Sequence, residues 1–232
     1  MKSLNQGDRQ QVWRALDQQG YAHVPSVLSQ QECEEIKSLY THEQLFRSTI
    51  DMQRYRFGAG QYKYFNYPLP ALIESMRRTF YPVLVPVANE WMQKLNVDIR
   101  YPVDLDSFLS LCHSAGQRRP TPLVLRYEAG GYNTLHQDLY GDVYFPFQVV
   151  IMLSRPGIDY QGGELVFIEQ LPRAQSKAQV LNPAQGDAVV FTTNFRPVKG
   201  VKGFYRAKMK HGVSSVTSGV RYTTGTIFHD AN

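Results

Sequence analysis

The chain has 232 residues, 43 % of them hydrophobic and 19 % charged, with a formal net charge of +5. That balance fits one domain with a substantial core, excludes a disordered or fibrous chain, and inclines weakly toward an anionic partner. Two cysteines, Cys33 and Cys112, exclude a disulfide framework. With no apolar run long enough for a transmembrane helix and no hydrophobic leader, the expectation is a cytoplasmic protein with no membrane partner.

Residues 6–20 read as a helix, with Val12, Trp13 and Leu16 on one face and Gly20 as its stop. A short strand over "YAHVP" follows. In "SQQECEEIKSLY", Ser29 and Glu32 have the spacing of a capping box, and Cys33, Ile36 and Tyr40 form the apolar stripe. A third helical region, Ala71 to Leu95, contains Pro82 and Pro86 and is expected to kink or break there. From Leu123 the pattern changes to β-branched and aromatic runs: "LVLRYE", "FPFQVVIML", "ELVFIEQ", "DAVVF", "KHGVSSV" and "VRYTTGTIF". Short strands without alternating helices predict a sandwich or jelly roll. The expected class is mainly β with N-terminal helices (α+β). The expected organisation is one domain over 1–232, in which a helical and lid-bearing region 1–100 packs on a β core 120–232.

Within "GYNTLHQD", His136 and Asp138 are two residues apart, so on a strand they face the same way and can aim at one point. A second histidine would complete the two-histidine, one-carboxylate facial triad that holds Fe(II) and leaves positions open. His211, expected to open its own strand, is the candidate. Arg221 follows ten residues later. If Thr217-Ser218-Gly219 forms a three-residue hairpin loop with Gly219 left-handed, Val216 pairs with Val220 and Arg221 shares the face of His211, roughly 13 Å along the ladder. A guanidinium there could grip the far carboxylate of a small dicarboxylate chelated at the metal. A loop one residue longer or shorter turns Arg221 to the other face. Each feature alone has a plain reading: HxD arises from composition, and Arg221 is an ordinary surface arginine.

The ordered set "RYEAGGYNTLHQD … VVIMLSRPG … GGELVFIE … GDAVVF … KHGVSSVTSGVRYTTGTIF" resembles the double-stranded β-helix (jelly-roll, cupin-like) core of Fe(II)- and 2-oxoglutarate-dependent dioxygenases, in the prolyl-hydroxylase-like branch. "LHQDLYGD" and "RPVKG…YRAKMKHGVS" are also similar to a bacterial family of that superfamily assigned to oxidising damaged nucleic acids. The resemblance implies an oxidoreductase with three cofactors or cosubstrates: Fe(II), 2-oxoglutarate and O2. It implies His136, Asp138 and His211 as catalytic metal ligands, with Arg221 on the 2-oxoglutarate C5 carboxylate. Tyr127 matches a tyrosine lining the cosubstrate pocket, and Leu165 would pack beside it. The position of a second cosubstrate tyrosine in some prolyl hydroxylases falls on Ile151, which leaves either fewer hydrogen bonds to the C5 carboxylate or a different partner such as Thr223. His136 would ligate as a neutral ring with its other nitrogen held by an acceptor. Oxidative decarboxylation of 2-oxoglutarate to succinate and CO2 would be coupled to substrate C–H hydroxylation, in oxidative demethylation of damaged nucleic acid or, alternatively, hydroxylation of a prolyl or other protein side chain. A third reading is a cupin-like metal- or ligand-binding protein without oxygenase activity, against which Arg221 argues.

Two stretches are candidates for contacting substrate. "RYRFGAGQYKYFNY", residues 54–67, interleaves Arg54, Arg56 and Lys63 with aromatics that include Tyr62 and Tyr64. Cations for phosphates and rings for bases suit single-stranded nucleic acid, and Gly58 and Gly60 could let the segment move as a lid. The same residues also fit a hairpin with its aromatics inward. "NFRPVKGVKGFYRAKMK", residues 194–210, carries six basic residues and no acidic one, among them Arg196, Lys199 and Arg206. It fits a phosphate track near the mouth of the site, a contact for an anionic peptide, or a solvated loop. His23, His42 and His113 read as ordinary surface or core residues, and His229 as a residue behind the ligands.

Overall fold

The structure, a computed structural model, describes residues 1–138 and 141–232. Its α-helices are α1 (Gln6–Gln19), α2 (Gln30–Leu39), α3 (Ala71–Lys94) and α4 (Leu105–Ser114). The strands of the first half are β1 (Tyr21–Val24), β2 (Phe46–Asp51), β3 (Gly58–Ala59), β4 (Gln61–Phe65), β5 (Leu123–Tyr127) and β6 (Tyr132–His136). Next come β7 (Phe147–Met152), β8 (Tyr160–Gly162), β9 (Leu165–Gln170), β10 (Lys177–Leu181) and β11 (Ala188–Thr192). The last are β12 (Phe195–Gly200), β13 (Gly203–Val213), β14 (Val216–Gly219) and β15 (Arg221–Thr226).

Local sequence chemistry sets the helix ends. Asn5 and Asp8 cap α1 reciprocally, and Gly20 closes it with φ 78°, a left-handed conformation favoured by glycine. Ser29 and Glu32 form the capping box of α2. The helix α3 differs from expectation: it runs unbroken for 24 residues through Pro82 and Pro86. Each proline removes one ladder donor, at a cost of about 3 kcal/mol in a helix interior. Packing offsets that cost, because Ile73, Met76, Phe80, Leu84, Ala88 and Trp91 are wholly buried. The carbonyl of Val83, between the prolines, also accepts a hydrogen bond from the indole of Trp13 at 2.6 Å.

Two antiparallel sheets face each other in a jelly-roll, or double-stranded β-helix, arrangement. The larger has the order β1-β11-β7-β15-β5-β4-β2, and the smaller β10-β9-β13-β6-β3, with β12 also paired to β13. The first hundred residues therefore do more than pack helices on the core: β1, β2 and β4 belong to the large sheet and β3 to the small one. Alternation divides β7 between two environments. Ile151 joins the core beneath α3, Gln148 and Val150 line the cavity between the sheets, and Val149 borders both. Ile151 thus faces the helices and does not line the cavity.

Among the described residues, no helix is long and apolar enough to cross a membrane. Cys33 and Cys112 are free and buried. Burial pushes the Cys33 thiol up to about 11, which makes it a packing residue rather than a nucleophile.

Candidate active site

A cavity of about 340 Å³ opens between the sheets. His136 ends β6, and His211 lies directly across from it on β13. Their rings are 4.2 Å apart, and His211 also packs against Phe191 at 4.6 Å. His211 does not open its strand: β13 begins eight residues earlier, at Gly203, because "GFYRAKMK" already alternates outward and inward. Asp138 lies beyond the end of β6, so pleat alone does not aim it. Its amide donates to the Thr193 carbonyl at 3.2 Å. The neighbouring Gln137 side chain donates to the carbonyls of Asn194 (2.6 Å) and Met209 (2.9 Å), fastening the loop to β13.

The result is a cluster whose three ligand atoms lie within 4.8 Å of one another. His136 Nε2 is 3.6 Å from Asp138 Oδ1, and His211 Nε2 is 3.2 Å from Asp138 Oδ2. His136 Nδ1 is 2.7 Å from the Thr134 carbonyl, so Nδ1 carries the proton and Nε2 keeps its lone pair for a metal. Burial, reinforced by the neighbouring His211, depresses the His136 pKa and favours that neutral ring. Burial works against ionisation of Asp138. The hydrogen bond and charge of His211, the charge of His136 and the Gln148 amide outweigh it, and hold the carboxyl well below its ordinary range. Two neutral-capable imidazoles and one carboxylate on one side of a cavity match the donor set of a facial Fe(II) site.

Sequence reasoning missed Gln148, whose Nε2 donates to Asp138 Oδ2 at 2.8 Å. Its signal was a lone polar residue inside the apolar run "FPFQVVIML". Gln148→Leu is expected to lower iron affinity about 10- to 100-fold while leaving the fold intact, as loss of an outer-shell partner does. Iron titration of the variant, followed by chelator competition, checks this.

The cosubstrate candidates line the same cavity. On β15, Arg221 pairs across from Tyr127, and Thr223 lies between Leu125 and Met152. Arg221, Thr223, Tyr127 and Leu165 are all buried cavity residues. The guanidinium of Arg221 is 1 % exposed as a residue and makes no ion pair among the described residues. Nη2 meets the Met152 sulfur at 3.6 Å, Nε has no partner, and the rings of Tyr127 and Tyr160 lie 5.5 and 5.9 Å away. A buried fork donor with an unsatisfied Nε and no ion-pair partner among the described residues fits a carboxylate ligand. Burial pushes the Tyr127 hydroxyl up to about 12, keeping it a proton donor.

The route to that position is not the expected hairpin. Gly219 is left-handed, at φ 77°, but β14 pairs with β8 rather than continuing a ladder between β13 and β15. The chain crosses to the large sheet, and Arg221 faces His211 across the cavity instead of standing along its strand.

The substrate candidates divide. Tyr62 and Tyr64 line the cavity and meet edge to face at 5.4 Å. Lys63 points the other way: it is 4 % exposed, donates to the Tyr40 carbonyl at 3.0 Å and pairs with Glu43. Arg54 and Arg56 are exposed on a turn at the rim. Gly58 and Gly60 sit where neighbouring groups approach closely. A Cβ would meet the Tyr132 carbonyl oxygen at 2.2 Å in one case and the Tyr127 ring at 2.7 Å in the other, so both permit close packing. The basic segment forms the hairpin β12–β13. Arg196 is buried in it, donating to the Asp17 carbonyl and the Glu169 carboxylate. Arg206 and Lys199, which pairs across from Phe204, sit about 17 and 24 Å along the strand from His211. Ala207, Met209 and His211 are buried, whereas Arg206, Lys208 and Lys210 are exposed on the opposite face of β13. Outside the cavity, His23 pairs with Asp187 at 2.7 Å, His113 pairs with Asp230 at 2.9 Å, and His229 accepts from the Phe145 amide.

Residues 60–231 match the Oxygenase-NA family, described as "Oxygenase, catalysing oxidative methylation of damaged DNA". An uncharacterized protein of Mycobacterium tuberculosis H37Rv is 48 % identical over 164 residues, which cover 71 % of this chain and 70 % of that one. Among solved structures, a Pseudomonas putida prolyl-4-hydroxylase superposes with a TM-score of 0.57 at 14 % identity, covering 95 % of this chain and 98 % of its own. A Trichoplax adhaerens prolyl hydroxylase, solved with a hypoxia-inducible-factor peptide, gives 0.56 at 16 % identity, with coverages of 96 % and 89 %. The likeness to the two solved structures is one of fold.

Proposed function

The chain belongs to the Oxygenase-NA family of oxygenases acting on damaged DNA, as an Fe(II)- and 2-oxoglutarate-dependent enzyme, and from that premise we propose that it removes a methyl group from a damaged base in single-stranded DNA. The observation that carries the reading is the meeting, in one cavity, of the His136–Asp138–His211 cluster, the buried Arg221, which has no ion-pair partner among the described residues, and the aromatic pair Tyr62–Tyr64.

His136 Nε2, Asp138 and His211 Nε2 would hold the iron, which when bound supplies the activation of O2 that couples decarboxylation of 2-oxoglutarate to C–H oxidation. Arg221 would hold the far carboxylate of 2-oxoglutarate, with Thr223 and Tyr127 beside it and Leu165 in the wall. Gln148 and the Thr134 carbonyl keep Asp138 and His136 aimed. Tyr62 and Tyr64 offer ring faces and edges to an extruded base, which must leave the stack to enter a cavity of this depth. The balance is 2-oxoglutarate, O2 and an N-methyl base giving succinate, CO2 and an N-hydroxymethyl base. The last then breaks its C–N bond to release formaldehyde, returning the proton to nitrogen.

The test is succinate release by the Fe(II)-loaded protein with methylated single-stranded DNA, its unmethylated twin, and no DNA. Strong stimulation by the methylated strand alone, with formaldehyde in equal amount, is the expected result. Basal turnover that only a proline-containing peptide stimulates would replace this reading with protein hydroxylation. No succinate under any condition would remove the catalytic assignment.

A further inference from the structure

At the rim of the cavity, Tyr55 and Phe57 stack with ring centroids 5.6 Å apart and planes 20° from parallel. Both stay about half exposed, at 56 % and 46 %, and neither has another aromatic partner among the described residues. Exposed large aromatics that stack only on each other are informative, because burial would stabilise them. The turn holding them is tied down at several points. Met52 is wholly buried, its amide donates to the Gly60 carbonyl, and the Phe57 amide donates to the Met52 carbonyl. The Phe57 carbonyl accepts from both the amide and the hydroxyl of Thr134, each at 2.8 Å. Thr134 is the residue whose own carbonyl orients His136, so the ledge is anchored on the strand that carries that ligand. Phe57 lines the cavity as well, so the ledge begins where the cavity ends.

Charge accompanies the rings. Arg54 and Arg56 flank Tyr55, are exposed, and form no ion pair among the described residues. Guanidiniums with no ion pair among the described residues, interleaved with half-exposed rings, complement a strand that offers phosphates and bases alternately; an uncharged peptide would leave the arginines without partners.

We propose that this ledge docks single-stranded DNA, with a base next to the extruded one stacked on the Tyr55–Phe57 pair and Arg54 and Arg56 on the phosphates to either side. The proposal rests on the DNA reading of the site. It lies outside the family-matched segment, which begins at residue 60.

The experiment compares wild type with Tyr55→Ala, Tyr55→Phe and the double variant Arg54→Ala/Arg56→Ala. It uses a methylated single-stranded oligonucleotide, and reads DNA affinity, the KM for DNA in stimulated succinate release, and melting temperature. Tyr55→Ala is expected to weaken DNA binding roughly 5- to 150-fold, the range of one lost base stack, and Tyr55→Phe to restore it. The double arginine variant should flatten the slope of log affinity against log salt by about 1.4, for two phosphate contacts on a single strand. All should melt with wild type. Wild-type DNA affinity in Tyr55→Ala overturns the ledge while leaving the demethylation reading in place. A wild-type enzyme that DNA never stimulates overturns both, and a peptide whose stimulation fails only in Tyr55→Ala replaces DNA as the occupant.

Discussion

Replacing Asp138 with alanine is expected to reduce succinate release from 2-oxoglutarate by more than about 100-fold, beyond what loss of an outer-shell partner costs. His136→Ala should do the same. Asp138 is the hub of the cluster: His211 Nε2 stands 3.2 Å from one of its oxygens, His136 Nε2 stands 3.6 Å from the other, and Gln148 donates to it at 2.8 Å. Without the carboxylate, two imidazoles remain at 4.2 Å, a set that neutralises none of the charge of a divalent ion. Asp138→Asn separates charge from shape. The amide keeps the volume but loses the anion that His211 and His136 stabilise, so turnover and iron binding should collapse here too. Iron titration and turnover on all three variants, with melting temperature as the fold control, check the prediction. Iron-dependent turnover surviving in Asp138→Ala or His136→Ala would remove the cluster from the chemistry.

What could be read along the chain was what depends on near neighbours. Asn5 with Asp8, and Ser29 with Glu32, satisfy helix N-termini from within four residues, and the second box is plain in the sequence. The runs from Leu123 onward became strands for the same reason, since alternation is local. Partner choice is not. The turn at Thr217-Ser218-Gly219 has the left-handed glycine its sequence predicts, yet β14 finds β8, a segment more than fifty residues earlier, instead of its neighbour. Arg221 still reaches the cavity, because two facing sheets share one interior: an inward residue on either meets the other.

The aromatic stretch 54–67 shows the opposite failure. "QYKYF" alternates as a strand does, which splits its chemistry between two faces. Tyr62 and Tyr64 enter the cavity, and Lys63 is buried behind them over the Tyr40 ring at 4.4 Å. Read by composition, the segment looked like one basic, aromatic lid; read by parity, only its first residues remain at the rim. The hairpin 195–208 is similar. Its basic residues are close to His211 in sequence, but an eleven-residue strand carries Arg206, and Lys199 on the strand paired to it, away from the cluster, and pleat turns Lys208 outward.

The second large effect is expected at Arg221, where function and stability should move in opposite directions. A buried charge without an ion-pair partner costs several kcal/mol, and among the described residues the guanidinium is offset by a thioether, the Tyr127 and Tyr160 rings, the Tyr160 hydroxyl and the more distant Glu164 carboxylate. Arg221→Met removes that charge while keeping an unbranched apolar side chain next to Met152. The KM for 2-oxoglutarate is expected to rise at least about 100-fold, the scale of breaking a buried ionic contact of 3–5 kcal/mol. The ligand-free variant should melt a few degrees higher than wild type, because a buried ion without an ion-pair partner has been replaced by packing. Adding 2-oxoglutarate should raise the melting temperature of wild type and leave the variant unmoved, since only a bound ligand shifts unfolding by mass action. Arg221→Lys should fall between them: it keeps the charge but loses the planar fork that meets a carboxylate with two parallel bonds. Thermal melts of the three proteins across a 2-oxoglutarate series, paired with succinate kinetics, read both effects. An unchanged KM in Arg221→Met would take the arginine out of the cosubstrate site, whereas a lower ligand-free melting temperature would mean that its ring contacts outweigh the cost of its burial.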